Sequence, residues 1–149
     1  AVECAVIVFM AIGILLSARL ADRVGRRPVL IAGSVLAVLS GFLLAPTFAS
    51  GDLVVIAAFL ALELLIMGIT FGPMGALLPE LFPTRVRYTG AAVSYNLGGI
   101  LGASFAPLLS QWLVENGGLA YVGGYISAVA VVSLLALLTM RETRDQPLD

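Results

Sequence analysis

The chain has 149 residues, and it is short of nearly everything a water-soluble surface is built from. It contains no Lys and no His, and charged residues make up 11% of it, against roughly 25% in soluble domains. Without His, and with Cys4 as the one cysteine, the Cys/His clusters that hold zinc are excluded and so is an internal disulfide. Cys4 lies in an apolar run and reads as an inert buried thiol. There is no Ser/His pair for nucleophilic catalysis and no phosphate-cradling glycine loop, so nothing points to an enzyme. No basic, aromatic-rich surface suggests a nucleic-acid partner. What remains is 60% hydrophobic, with a mean hydropathy of +1.08.

That composition is arranged in five long apolar runs, over about 2–18, 29–48, 53–80, 87–112 and 119–140. A soluble helical bundle needs a polar face on each helix, and these runs have none. They are long enough to cross the ~30 Å hydrocarbon core as helices. The expected fold class is therefore an all-α membrane protein with five transmembrane helices and membrane lipid as its solvent. The chain opens inside an apolar run, with neither an initiator Met nor a signal-peptide pattern. More polypeptide is expected upstream.

The charges are placed asymmetrically. Arg19, Arg23, Arg26 and Arg27 sit between the first two runs, Arg85 and Arg87 between the third and fourth, and Arg141 and Arg144 after the fifth. If the runs alternate in direction, all eight basic residues fall on one side. The turns on the other side carry Asp52 and Glu115. The positive-inside rule puts the Arg side and the C-terminus in the cytoplasm.

Within the runs, small residues recur at a spacing of four: Gly33, Ala37 and Gly41, then Gly68 and Gly72, then Gly98, Gly102 and Ala106. Such stripes let helices approach closely. Gly72-Pro73 predicts a kink two-thirds along the third run. Trp112 stands where an aromatic belt would lie.

The carboxylate of Glu63, about mid-depth in the third run, is the sharpest single feature. A charge there costs ~2.5–3.5 kcal/mol on insertion scales and usually faces a cavity or a partner. Met67, Thr70 and Met74 follow it at i+4, i+7 and i+11, on one helical face. With no His available, a proton carrier would have to be a carboxylate, and taking a carboxylate out of water favours its protonated form. Two readings stand: a residue of a translocation path, or a structural hydrogen bond to a neighbouring helix. Tyr95 and Asn96, on a fourth run rich in Gly and Ser, offer a phenol and an amide at cavity depth; lining a cavity and packing a helix are both open to them. Glu3 is either an interfacial or a cavity-facing carboxylate.

The charged segments carry a family resemblance. Ala18-Arg-Leu-Ala-Asp22-Arg23-Val-Gly25-Arg26-Arg27 resembles the cytoplasmic loop motif of the major facilitator superfamily, Gly-x-Leu-Ala-Asp-Arg-x-Gly-Arg-Arg, departing from it at Ala18. Pro79-Glu80-Leu-Phe-Pro83-Thr84-Arg85-Val-Arg87-Tyr-Thr-Gly90 is similar to the segment between that family's tenth and eleventh spans, and Arg141-Glu142-Thr143 to the exit from its last. Arg-Val-Arg-Tyr and Ala106-Pro107 look most like the metabolite:proton symporter branch. The resemblance covers the whole chain and implies five of the six spans of the C-terminal half of a twelve-span fold, with the N-terminal half as partner.

It further implies a secondary transporter working by alternating access, with a small metabolite (an organic acid or a zwitterion) as substrate, a proton as coupling ion and no cofactor or metal. A sugar-porter-like facilitator or a non-transporting receptor or scaffold of the same fold are the alternatives. Transport-path candidates are Glu63, Met67, Thr70, Tyr95 and Asn96. Asp22, Arg23, Gly25, Arg26, Arg27, Glu80, Arg85, Arg87 and Glu142 form the candidate cytoplasmic latch, in which Arg26 and Arg27 could pair with Glu80 and Glu142. For these arginines a purely topological role stays open beside the latch.

Overall fold

The computed structural model describes residues 2–140, with side chains from residue 7 onward. Five helices follow one another: α1 (Val2–Val24), α2 (Arg26–Ala49), α3 (Leu53–Glu80), α4 (Arg87–Gly117) and α5 (Leu119–Thr139). α2 to α5 are each long and apolar enough to cross a membrane. α1 is 23 residues long and carries Arg19, Asp22 and Arg23 in its last turns.

The first difference from the sequence reading lies at the charged segment 19–28. It is helix on both sides, and the chain reverses on Gly25 alone. Gly25 has φ 113° and ψ 157°, a backbone region open essentially to glycine. Its N–H donates to the Ala21 carbonyl at 3.0 Å and closes the end of α1. Arg23 in the last turn of α1 suits the negative end of the helix dipole. Pro28 lies within the first turn of α2, where its missing N–H would have had no intrahelical partner. The opposite end has a looser turn. Gly51 takes φ 68°, and Asp52 caps α3 by accepting from Val54 N–H at 2.8 Å. α4 outruns its expected end by a turn and a half and stops at Gly118, at φ 74°.

Residue pairs across the interfaces give the directions. Gly13 and Ser17 of α1 lie against Gly68 and Gly72 of α3, so those two helices run parallel. Gly33 of α2 meets Thr70, Phe48 meets Phe59 edge-on at 6.3 Å between ring centres, and Arg26 meets Glu80, so α2 and α3 are antiparallel. Gly41 and Val38 of α2 meet Gly123 and Ser127 of α5. The main contacts are thus α1 on α3, α3 on α2 and α2 on α5, with α4 touching α3 and α5 more sparingly.

Lipid gives helices no hydrophobic reason to associate, so close backbone packing and interhelical hydrogen bonds take that part. At the α1–α3 crossing a Cβ on Gly13 would come 2.6 Å from the Leu65 carbonyl oxygen, and one on Gly68 within 2.9 Å of the Ile14 nitrogen. Ser17, 2% exposed, donates to the Gly68 carbonyl at 3.3 Å and to Ile14 at 3.1 Å. At the α2–α5 crossing Ser127 donates to the Val38 carbonyl at 2.9 Å, beside the Gly41–Gly123 contact. The stripe at 33, 37 and 41 serves two neighbours. Eight residues advance a helix by about 80° beyond whole turns, so Gly33 faces α3 while Gly41 faces α5.

One expectation gains a packing role here and another changes. Gly72 is accounted for by packing: a Cβ there would strike the Ser17 hydroxyl and come 3.0 Å from the Ile14 carbonyl oxygen. α3 continues as one α-helix through Gly72 and Pro73 to Glu80. The face formed by Gly98, Gly102 and Ala106 is not a close-approach surface within these five helices. Nothing lies within 4 Å of a Cβ built on Gly98, Gly99 or Gly102, and α4 has no buried residue. α4 leans on α3 near its start and on α5 near its end, which leaves its middle uncovered.

Candidate functional site

At the Arg-rich end the ends of α2, α3 and α5 are tied together by two neighbouring side chains. Arg26 Nη1 lies 3.0 Å from Glu80 Oε1, with both side chains about four-fifths buried. This joins the first turn of α2 to the last residue of α3. Arg27 points the other way, to the last turn of α5. Its Nε donates to the Leu137 carbonyl at 3.0 Å and its Nη2 to the Leu138 carbonyl at 2.7 Å. Those carbonyls are among the last four of α5, which have no partner inside the helix, and a cation is favoured there by the dipole. The planar fork of Arg can reach two successive carbonyls, which an ammonium cannot do in the same way.

So of the two arginines expected to pair with Glu80 and Glu142, Arg26 meets Glu80 and Arg27 caps a helix end. Glu142 lies outside the described residues. Gly25 makes both contacts geometrically available, because the one-residue reversal starts α2 directly under Arg26 and Arg27.

Arg87 reaches back at 3.4 Å to the Phe82 carbonyl, and the Phe82 ring covers Gly90, where a Cβ would come 2.5–2.8 Å from its carbons. This fixes the 81–86 turn against the start of α4. Arg23 also makes a contact. Asp22 and Arg85 are exposed, and among the described residues nothing hydrogen-bonds to the Asp22 carboxylate.

The transport-path candidates do not converge on one cavity among these helices. Tyr95 and Asn96 line a cleft of about 540 Å³ between α3 and α4, whose other walls include Phe71, Met74, Leu78 and Tyr88. Asn96 donates to its own helix at Ala92 O, 2.8 Å away. Glu63, Met67 and Thr70 are not in the walls of that cleft. The Thr70 hydroxyl is spent on Met67 O at 2.8 Å within α3, and its methyl meets Gly33 of α2. Met67 is 42% exposed. Glu63 sits between the buried Phe59 and Ile66 on α3. Its Oε1 is fully shielded and has no hydrogen-bond partner, so the structural hydrogen bond considered for that oxygen is not made within the described residues.

Three features escaped the sequence reading: Ser17, Ser127 and the helix-capping role of Arg27. The two serines were signalled by Gly13-x-x-x-Ser17 and Gly123-x-x-x-Ser127, small residues four apart like the glycine stripes. Arg27 carried no such signal, because its partners are backbone carbonyls 110 residues away.

Parallel and antiparallel apolar helices crossing on glycines, with the basic residues gathered at one end, define a polytopic helical membrane protein. The model of the Major Facilitator Superfamily matches residues 4–149, and the chain belongs to that family. It is 53% identical over 130 residues to an inner membrane metabolite transport protein, YhjE, of Escherichia coli K12, a match covering 87% of this chain and 30% of the relative. A putative metabolite transport protein of Haemophilus influenzae is 43% identical over 84% of this chain and 28% of its own length. The proline/betaine transporter of E. coli K12 is 39% identical over 87% of this chain and 26% of its own. The chain thus spans under a third of the length of these relatives. No solved structure matches it significantly. These relatives agree with the branch resemblance drawn from the loop at 85–88 and from Ala106-Pro107.

Proposed function

We propose that these five helices are part of the C-terminal half of a proton-coupled secondary transporter that moves a small organic acid or zwitterion by alternating access. The observation that carries this reading is the uncovered middle of α4. A helix in lipid should present apolar side chains, yet α4 exposes Ser94, Tyr95, Asn96 and Ser104, with Tyr95 and Asn96 along one wall of the α3–α4 cleft, beside three glycines on which a Cβ would meet nothing within 4 Å. A polar, small-residue face of this kind suits a water-filled path shared with another part of the protein. The relatives named for metabolite and proline/betaine transport support the substrate class.

Glu63 is the proton carrier in this reading. Its Oε1 is shielded and takes no protein hydrogen bond, which leaves it to a proton or a water. The carboxylate lies about 15 Å along α3 from its start at Leu53, near mid-depth. The Arg-rich end and the C-terminus face the cytoplasm by the positive-inside rule. There the Arg26–Glu80 pair and the Arg27 cap hold α2, α3 and α5 as one unit that can rock together, and the exposed Asp22 is available to a partner from the other half.

Full-length protein in sealed liposomes with an imposed inward proton gradient tests this. Labelled betaine, proline and a panel of carboxylates should include at least one compound that accumulates above its external concentration and is released when the gradient is collapsed. Uptake that equilibrates without accumulating would point to a passive facilitator, and no uptake of any compound to a receptor or scaffold.

A further inference from the structure

A second concavity lies at the opposite end of the molecule, away from the Arg cluster. It is a groove of about 390 Å³ where the end of α2, the end of α4 and the start of α5 come together. Leu44, Phe48, Val114, Leu119 and Val122 make an apolar floor, while Ser110, Gln111 and Glu115 supply its polar atoms. Gln111 Nε2 donates to Glu115 Oε1 at 3.3 Å along α4. The second amide proton of Gln111 and the Ser110 hydroxyl remain as donors. Trp112, 59% exposed on the next face, marks the level of the headgroup region.

An apolar floor with a polar rim at that depth fits the glycerol and upper acyl chain of a phospholipid. Charge decides which one. The six basic side chains among the described residues, Arg19, Arg23, Arg26, Arg27, Arg85 and Arg87, are all toward the other helix ends. Among the described residues this end carries Asp52 and Glu115, with Glu3 in the first turn of α1, and of these Glu115 lines the groove. A lipid with net negative charge would meet a like charge and no counter-charge. A headgroup carrying a primary ammonium would meet the Glu115 carboxylate, with its phosphate and ester oxygens near the Ser110 and Gln111 donors. Bonds with an ionised partner are roughly twice as strong as neutral ones. A quaternary ammonium has no N–H to give. We infer that this groove is a binding site for an aminophospholipid, phosphatidylethanolamine in chemical class, held by Glu115 at the end opposite the described arginines.

The test is native mass spectrometry of the purified full-length protein released from micelles containing equal amounts of phosphatidylethanolamine, phosphatidylcholine and phosphatidylglycerol. The wild type should retain one phosphatidylethanolamine over phosphatidylcholine by about tenfold, the order expected of one charge-assisted hydrogen bond. Glu115→Gln, at an exposed position, should erase that preference. Val122→Trp, which fills the floor, should lower retention of phosphatidylethanolamine and phosphatidylcholine alike. Equal retention of these two lipids by the wild type would overturn the assignment without reference to any variant. So would a preference that survives Glu115→Gln, or a phosphatidylglycerol retained ahead of both. None of these readouts depends on transport.

Discussion

Gly123 and Gly124 are neighbours on α5, and the structure assigns them opposite fates on substitution by alanine. A Cβ on Gly123 would press into the Gly41 carbonyl oxygen and come 3.3 Å from the Gly41 carbonyl carbon. Both are backbone atoms, so only a shift of one helix can relieve the contact. Such overpacking costs about 1–3 kcal/mol. Moving α5 away also strains the Ser127–Val38 hydrogen bond, and interhelical bonds in membranes average about 0.6 kcal/mol. Alanine returns about 1 kcal/mol of helix propensity. Gly123→Ala should therefore destabilise by about 0.5–2.5 kcal/mol in net terms. A Cβ on Gly124 has nothing within 4 Å, so Gly124→Ala should be neutral or stabilising by up to about 1 kcal/mol. Reversible unfolding of the full-length protein from mixed micelles by increasing dodecyl sulfate measures both. The expected gap is about 0.5–3.5 kcal/mol, with Gly123→Ala the weaker protein. Equal midpoints, or the reverse order, would refute the α2–α5 crossing.

Three further predictions concern the Arg-rich end. Gly25→Ala forces a Cβ into φ 113°, ψ 157° and should cost about 1–3 kcal/mol, read in the same unfolding assay, while also displacing both arginine contacts. For Arg26 and Glu80, a double-mutant cycle with Arg26→Gln and Glu80→Gln should give a coupling of about 1 kcal/mol, since the pair is partly buried and bonded at 3.0 Å; zero coupling would remove the link between α2 and α3. Arg27→Lys keeps the charge but loses the two-carbonyl fork. Amide exchange should then rise in the last turn of α5 and remain unchanged in α1.

The sequence was most legible where one physical rule decides a whole segment. Apolar runs without a polar face, ended by Gly, Pro and Asp, predict membrane helices, and the five helices lie where those runs are. Arg placement, through the two loop motifs, led to the family. Helix ends were less legible. Asp22, Arg23 and Arg26 read as a charged loop, because charge density and loop are confounded at a membrane surface; only the positive φ of Gly25 reduces that loop to one residue. Pairing across helices was least legible. Gly68 and Gly72 looked like a stripe and a kink, but which helix they met depended on Gly13 and Ser17, more than fifty residues earlier. The face shared by Glu63, Met67, Thr70 and Met74 was sound as helical geometry, yet α2 takes the Thr70 methyl while Met74 turns to the α3–α4 cleft, so proximity along one helix did not place them in one cavity.

The central claim is that Glu63 couples a proton to substrate movement, and one comparison tests it most directly. Full-length wild type and Glu63→Gln are reconstituted side by side with a substrate found by the uptake panel. Gradient-driven accumulation is then measured against exchange of labelled for unlabelled substrate at equal pH on both sides. The neutral amide cannot release a proton, so Glu63→Gln should lose accumulation while exchange continues. Accumulation at the wild-type level in Glu63→Gln would contradict the claim and return Glu63 to a structural role.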